Sequence, residues 1–172
     1  LISAGTRERR FLVLEPSDHV LDDHHYFEEL SKHINGDGAS AFLHFLLNLD
    51  LTGFNPYKAP TTKGLIDEKL INLKPALAYF HSELSKQRPF NGAARLYASN
   101  LISNYYNWAS DNQHEVSEPS ARSQMGKAMQ TLKIDPLGRS DRGKGKYYEL
   151  PELKDFKLRF AKHLGHKFDE IF

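Results

Sequence analysis

The sequence predicts a mainly α chain, with a helical first half and a second half ordered helix, helix, wing, helix. Three features lead to this. Apolar residues recur at helical spacing in most segments between turn signals. Gln87-Arg-Pro-Phe-Asn-Gly92 interrupts the chain near its middle, with acids outnumbering bases before it and bases outnumbering acids after it. Finally, the amphipathic stretch Ser120–Leu132 is followed by the glycine-rich basic run Gly138–Tyr148, the order of a recognition helix and a β-wing. Two domains are expected, residues 1–87 and 88–172.

Arg10-Phe-Leu-Val-Leu14 reads as a strand with no sheet partner elsewhere in the sequence. An orphan strand leaves backbone donors and acceptors unpaired, so the chain is expected to be a fragment of a larger protein whose sheet lies upstream. Asp22 or Asp23 caps a helix to about Ile34 that would bury Tyr26, Phe27, Leu30 and Ile34. Ala39–Leu49 is too apolar for one stripe, with Phe42, Leu43, Phe45, Leu46, Leu47 and Leu49, and should be a central helix. Thr61 or Thr62 caps a helix to about Asn72, and Pro75 opens another that runs to Ser85.

After the break, a helix over 93–109 would bury Leu96, Tyr97, Leu101, Ile102, Tyr105 and Trp108, and Asp111–Pro119 is turn-like. The helix over 120–132 places Met125, Met129 and Leu132 inward and leaves Arg122, Ser123, Gln124 and Lys127 outward. A last helix opens at Leu150-Pro-Glu-Leu153 and carries Phe156, Phe160 and Leu164. This is a winged-helix order, except that no separate helix is evident between Asp111 and Ser120.

The 172 residues are 40% apolar and 26% charged, which argues for a globular chain rather than a disordered one. There is no cysteine, so disulfides, thiolate zinc sites and cysteine nucleophiles are excluded, in keeping with a reducing cytoplasm. No apolar run reaches the roughly 18 residues of a membrane span. A cytoplasmic protein without a membrane partner is expected.

Net charge is only +1, yet Arg122, Lys127, Lys133, Arg139, Arg142, Lys144 and Lys146 face only Asp135 and Asp141. Such local concentration suits phosphate binding. Glycines in the wing allow a tight hairpin, and Gln124 has the chemistry to read a base edge. The candidate DNA-binding residues are Arg122, Gln124, Lys127, Arg139, Arg142, Lys144 and Lys146; the plain alternative is a solvated basic loop.

Gly138-Arg-Ser-Asp-Arg-Gly-Lys-Gly145 nearly matches a phosphate-binding loop, but Gly145 stands where Ser or Thr should hold magnesium and no helix follows. Asp18, His19, Asp22, Asp23, His24 and His25 offer metal-ligand chemistry without ligand spacing, and helix capping accounts for the acids. No metal is assigned. No acid, base and nucleophile set emerges for hydrolysis.

Arg9-Arg-Phe-Leu-Val-Leu14, Asp22-Asp-His-His-Tyr-Phe27, Ala41–Phe54, Ala59-Pro-Thr-Thr62 and Lys69-Leu-Ile-Asn-Leu73 resemble the end of the helicase module in phage and plasmid primase-helicases. These are superfamily 3 helicases related to the poxvirus primase-helicase. Tyr147-Tyr-Glu-Leu-Pro151, Phe160 and Leu164-Gly165 are similar to the winged-helix tail that follows such modules.

The resemblance implies that residues 1–87 end an ATPase module, and that Arg10, with Arg9 second, is an arginine finger acting in trans on ATP bound by the next subunit of a ring. It further implies a parent protein using ATP and magnesium. This chain lacks the phosphate-binding loop, magnesium-binding acids and sensor asparagine of that family, so no ATP hydrolysis is expected from it alone.

The function expected is therefore DNA binding by the C-terminal part of a replicative helicase or primase-helicase, on single-stranded, duplex or forked DNA. One alternative is an interaction domain docking replication partners through Tyr105, Tyr106 and Trp108. Another is a stand-alone winged-helix regulator.

Overall fold

The computed structural model describes residues 11–57, 60–139 and 145–172. The chain is mainly helical with a small antiparallel sheet. In order come α1 (His24–Asn35), α2 (Gly38–Leu47), α3 (Lys63–Ile71), α4 (Pro75–Leu84), β1 (Arg95–Tyr97), α5 (Ala98–Asp111), α6 (Glu118–Thr131), β2 (Leu137–Arg139), β3 (Lys146–Glu149), α7 (Leu153–Leu164) and α8 (Phe168–Ile171). No helix among the described residues is long and apolar enough to cross a membrane.

Helix starts follow the local chemistry. The Asp23 carboxylate accepts from the Tyr26 amide at 2.9 Å, and the Thr62 hydroxyl accepts from the Leu65 amide at 3.3 Å. Pro75 occupies the first turn of α4, where its missing N–H costs nothing.

One core unites α3 to α8. Phe80, Leu84, Leu101, Tyr105, Phe156 and Phe160 are all fully enclosed, and α4 packs against α5, α6 and α7 together. The turn at 87–92, expected to form a domain boundary, therefore lies inside a single core. Turn residues and a change in charge mark a reversal of the chain; they do not determine what packs across it. Within the turn Phe90 and Asn91 adopt φ of 50° and 56°. The Phe90 ring lies buried, parallel to Phe156 with centroids 5.9 Å apart. The buried Glu83 carboxylate accepts from the Phe90 amide at 3.0 Å and from the Lys86 ammonium, fixing the reversal to the end of α4.

Three further expectations are corrected. Residues 11–14 form no strand, and residue 10 lies outside the described residues. Instead the Val13 carbonyl accepts from the Thr62 hydroxyl at the start of α3, a side-chain bond that leaves no ladder to join. Helices α1 and α2 form as expected but bury no residue fully. Tyr26, Phe27, Leu30 and Ile34 are exposed, and so are all six apolar residues expected to make the second helix central. The two helices pack on each other, and a two-helix hairpin has too little surface to enclose both apolar faces.

The helix expected over 93–109 starts only at Ala98, because Arg95–Tyr97 pair as a strand with β3. Leu96 then packs on the core from a sheet rather than from a helix. The last helix forms where expected, as α7, with Leu153 exposed at its start and Phe156, Phe160 and Leu164 buried.

The C-terminus is held to the first core helix. Buried Lys69 on α3 meets His166 Nε2 at 3.0 Å, while His166 Nδ1 meets Glu170 at 3.3 Å. Burial, then the Lys69 charge, lowers the His166 pKa. Burial also lowers that of His81, whose ring lies against Phe160 and Phe172.

Glu83→Ala should lower unfolding stability by about 1–3 kcal/mol through the orphaned Phe90 amide, measured by urea titration. Both histidines have folded pKa values below their usual 6.5, so the unfolded chain binds more protons as pH falls below that point. Stability should be flat above neutrality and decline from about pH 6.5 downward, and His166→Gln should reduce the slope in a pH series of thermal melts.

Candidate nucleic-acid interface

Helix α6 starts after Ser117 with Pro119 in its first turn. Ala121, Met125, Ala128 and Met129 point into the core, with Leu132 buried just beyond the end, as the apolar spacing predicted. This leaves Arg122, Ser123, Gly126, Lys127 and Gln130 on the exposed side. Neither Arg122 nor Lys127 forms an ion pair with any described residue. Two exposed cations within two turns of each other on one helix suit a polyanion.

Both ends of α6 are fixed. The Tyr105 hydroxyl, on α5, donates to Gln124 Oε1 at 2.5 Å, and Gln124 Nε2 donates to Ser120 Oγ at 2.8 Å. Burial raises the Tyr105 pKa, which keeps its hydroxyl a donor. Gln124 is thus half-buried with both ends of its amide engaged, and its role is to position α6; the expectation that it faces outward to read a base is corrected. Helical periodicity placed it near the boundary of the faces, where the Tyr105 hydroxyl decided its orientation.

At the other end Lys133 has φ of 57°, and the Ile134 amide donates to the Met129 carbonyl at 2.9 Å, closing the helix. Arg159, on α7, donates to the Lys133 carbonyl at 2.7 Å while paired with Asp155. A cation just beyond the C-terminal end of α6 also interacts favourably with the helix dipole.

Strands β2 and β3 form the antiparallel hairpin expected for the wing, and β3 lies between β1 and β2. Leu96 and Tyr148 face the core. On the other face Arg95 pairs with Glu149 at 2.7 Å and lies 4.5 Å from the Tyr147 ring centre. Lys146 is exposed in β3. Arg142, Lys144 and the side chain of Arg139 lie outside the described residues, as do Arg9 and Arg10. The near-match to a phosphate-binding loop runs between two antiparallel strands, whereas that motif needs a strand leading into a helix.

The aromatic contact surface expected of Tyr105, Tyr106 and Trp108 is also corrected. Tyr105 is fully buried and Trp108 packs edge-on to Tyr79 and over His114, leaving Tyr106 as the exposed member. Their helical spacing served the core. Among the described residues no group of three or more His, Asp or Glu gathers as a metal site, and Asp23 serves as the α1 cap.

Sequence reasoning missed β1, which is too short to show an alternation, and passed over Gly126 and Gln130 on the outer face of α6. Reading that face as a full row of positions would have found both. No family model, curated protein or solved structure matches the chain.

Gly126 in mid-helix costs about 1 kcal/mol relative to alanine. Gln124→Ala should cost a further ~1–3 kcal/mol by stranding the buried Tyr105 hydroxyl. Tyr105→Phe in the same background should recover some of that stability, as measured by a double-mutant cycle in urea.

Proposed function

We propose that the region from α4 to α7 is a winged-helix DNA-binding module, and that the chain is the C-terminal portion of a phage- or plasmid-type replicative helicase or primase-helicase. The order α4, β1, α5, α6, β2, β3, with β3 central in the sheet, carries the winged-helix assignment. In it α4 is the first helix of the module, α5 the second, α6 the recognition helix, and β2–β3 the wing. The additional helix sought between Asp111 and Ser120 is then accounted for upstream, by α4.

Arg122 and Lys127 on α6, which pair with no described residue, and Lys146 on β3 support phosphate contact. The lysines and arginines of the hairpin sequence would add to it. The helicase assignment rests on the resemblance in residues 9–73, and the exposed apolar faces of α1 and α2 support it, because they suit packing on a further domain such as an ATPase core. ATP, magnesium and the ring of subunits belong to that parent protein, in which Arg10 and Arg9 would act in trans. The same exposed faces favour the second reading, docking of a replication partner, with the hairpin of α1 and α2 rather than the α5 aromatics as its surface.

Binding to DNA measured by fluorescence anisotropy across a salt series tests the module. The chain should bind without a specific site at about micromolar affinity or weaker, with affinity falling as salt rises. A variant carrying Arg122→Ala, Lys127→Ala, Arg139→Ala, Arg142→Ala, Lys144→Ala and Lys146→Ala should bind more weakly, its salt slope on duplex reduced by up to about 0.9 for each phosphate it no longer neutralises. Equal binding by both proteins, or none by the wild type at low salt, would remove the DNA-binding reading.

A further inference from the structure

Gly126 stands at the centre of the outer face of α6, and nothing in the fold requires a glycine there. A Cβ added at this position would meet no atom within 4 Å beyond the backbone of its own helix and its chain neighbours, and the backbone is not in the left-handed region. The adjoining Met125, Ala128 and Met129 are turned into the core. The result is a helix whose backbone is bare midway along, with Arg122, Ser123, Lys127 and Gln130 exposed around the gap.

The chemistry of this face discriminates among nucleic acids. It bears no aromatic side chain, the main platform on which single-strand binders stack successive bases. A B-form major groove is about 12 Å wide and an α-helix with its side chains about 10–12 Å across, so the fit is close and a missing side chain lets the helix axis descend further. The A-form major groove is too deep and narrow for side chains to read.

Resting on the winged-helix reading above, we propose that Gly126 is the point of closest approach between α6 and the major groove of B-form duplex DNA. The module is thereby a duplex reader, favouring duplex DNA over a single strand or an RNA duplex. Arg122 and Lys127 flank the approach and reach phosphates, while Ser123 and Gln130 are the polar side chains left within reach of base edges.

The test compares wild type, Gly126→Ala, Gly126→Leu and the double variant Arg122→Ala/Lys127→Ala on a DNA duplex, one of its single strands, and an RNA duplex of the same sequence. Thermal melts accompany each protein. Wild type should prefer the DNA duplex. Gly126→Leu should lose about tenfold or more on it, and Gly126→Ala a smaller factor, consistent with disruption of one good groove contact. Both glycine variants should melt at or above the wild-type temperature, by about 2–4 °C for Ala, because a glycine has left a helix interior.

Wild-type affinity for duplex in both glycine variants would overturn the proposal, and so would equal or tighter wild-type binding to the single strand. If Leu lowers the melting temperature, the Ala variant decides. Loss of duplex binding in Arg122→Ala/Lys127→Ala with none in the glycine variants would sink this inference and leave the winged-helix reading standing. No change in any variant would sink both.

Discussion

The packing of α4 against α5, α6 and α7 is the constraint on which the rest of this structure depends. Phe80 is fully buried against the stacked pair of Phe90 and Phe156 rings, and Tyr79 contacts Tyr105 and Trp108. Side chains of this size contribute a few kcal/mol each on burial. With Glu83 holding the Phe90 turn from the same helix, α4 determines where the chain reverses and where β1 begins. The sheet and the outer helices are arranged around it.

The exposed cationic face is a product of that core. Met125 and Met129 on one side of α6 anchor it, and the Tyr105–Gln124–Ser120 bonds and the Arg159–Lys133 bond set its rotation and its end. Arg122 and Lys127 make none of those contacts, so the fold orients them without using their charge. A side chain that the core does not need, on a helix that the core holds still, is well placed for an external ligand.

Helices α1 and α2 show the opposite relation between sequence and packing. The cap of α1 and the break between the two helices came from local chemistry, since Asp23 and the turn near Gly36 require nothing distant. Their burial did not. An apolar face needs a facing surface to be enclosed, and α2, apolar nearly all round, would need one on several sides. The periodicity that announced a core helix was accurate about the helix and silent about its partner.

The sequence by itself determined what rests on near neighbours: most of the helices, the caps at Asp23 and Thr62, the inward row Met125, Met129 and Leu132, and the hairpin between β2 and β3. Each depends on side chains a few residues apart, so the pattern is present in the chain. Only the tertiary structure decided that α4 shares a core with the helices beyond the turn at 87–92, that Arg95–Tyr97 is a strand, and that Gln124 is engaged by Tyr105. Those outcomes turn on partners 19 to 76 residues away, such as Tyr105 for Gln124, Glu149 for Arg95 and Phe156 for Phe80. Which partner a side chain meets is settled by the global packing, and no local pattern encodes it.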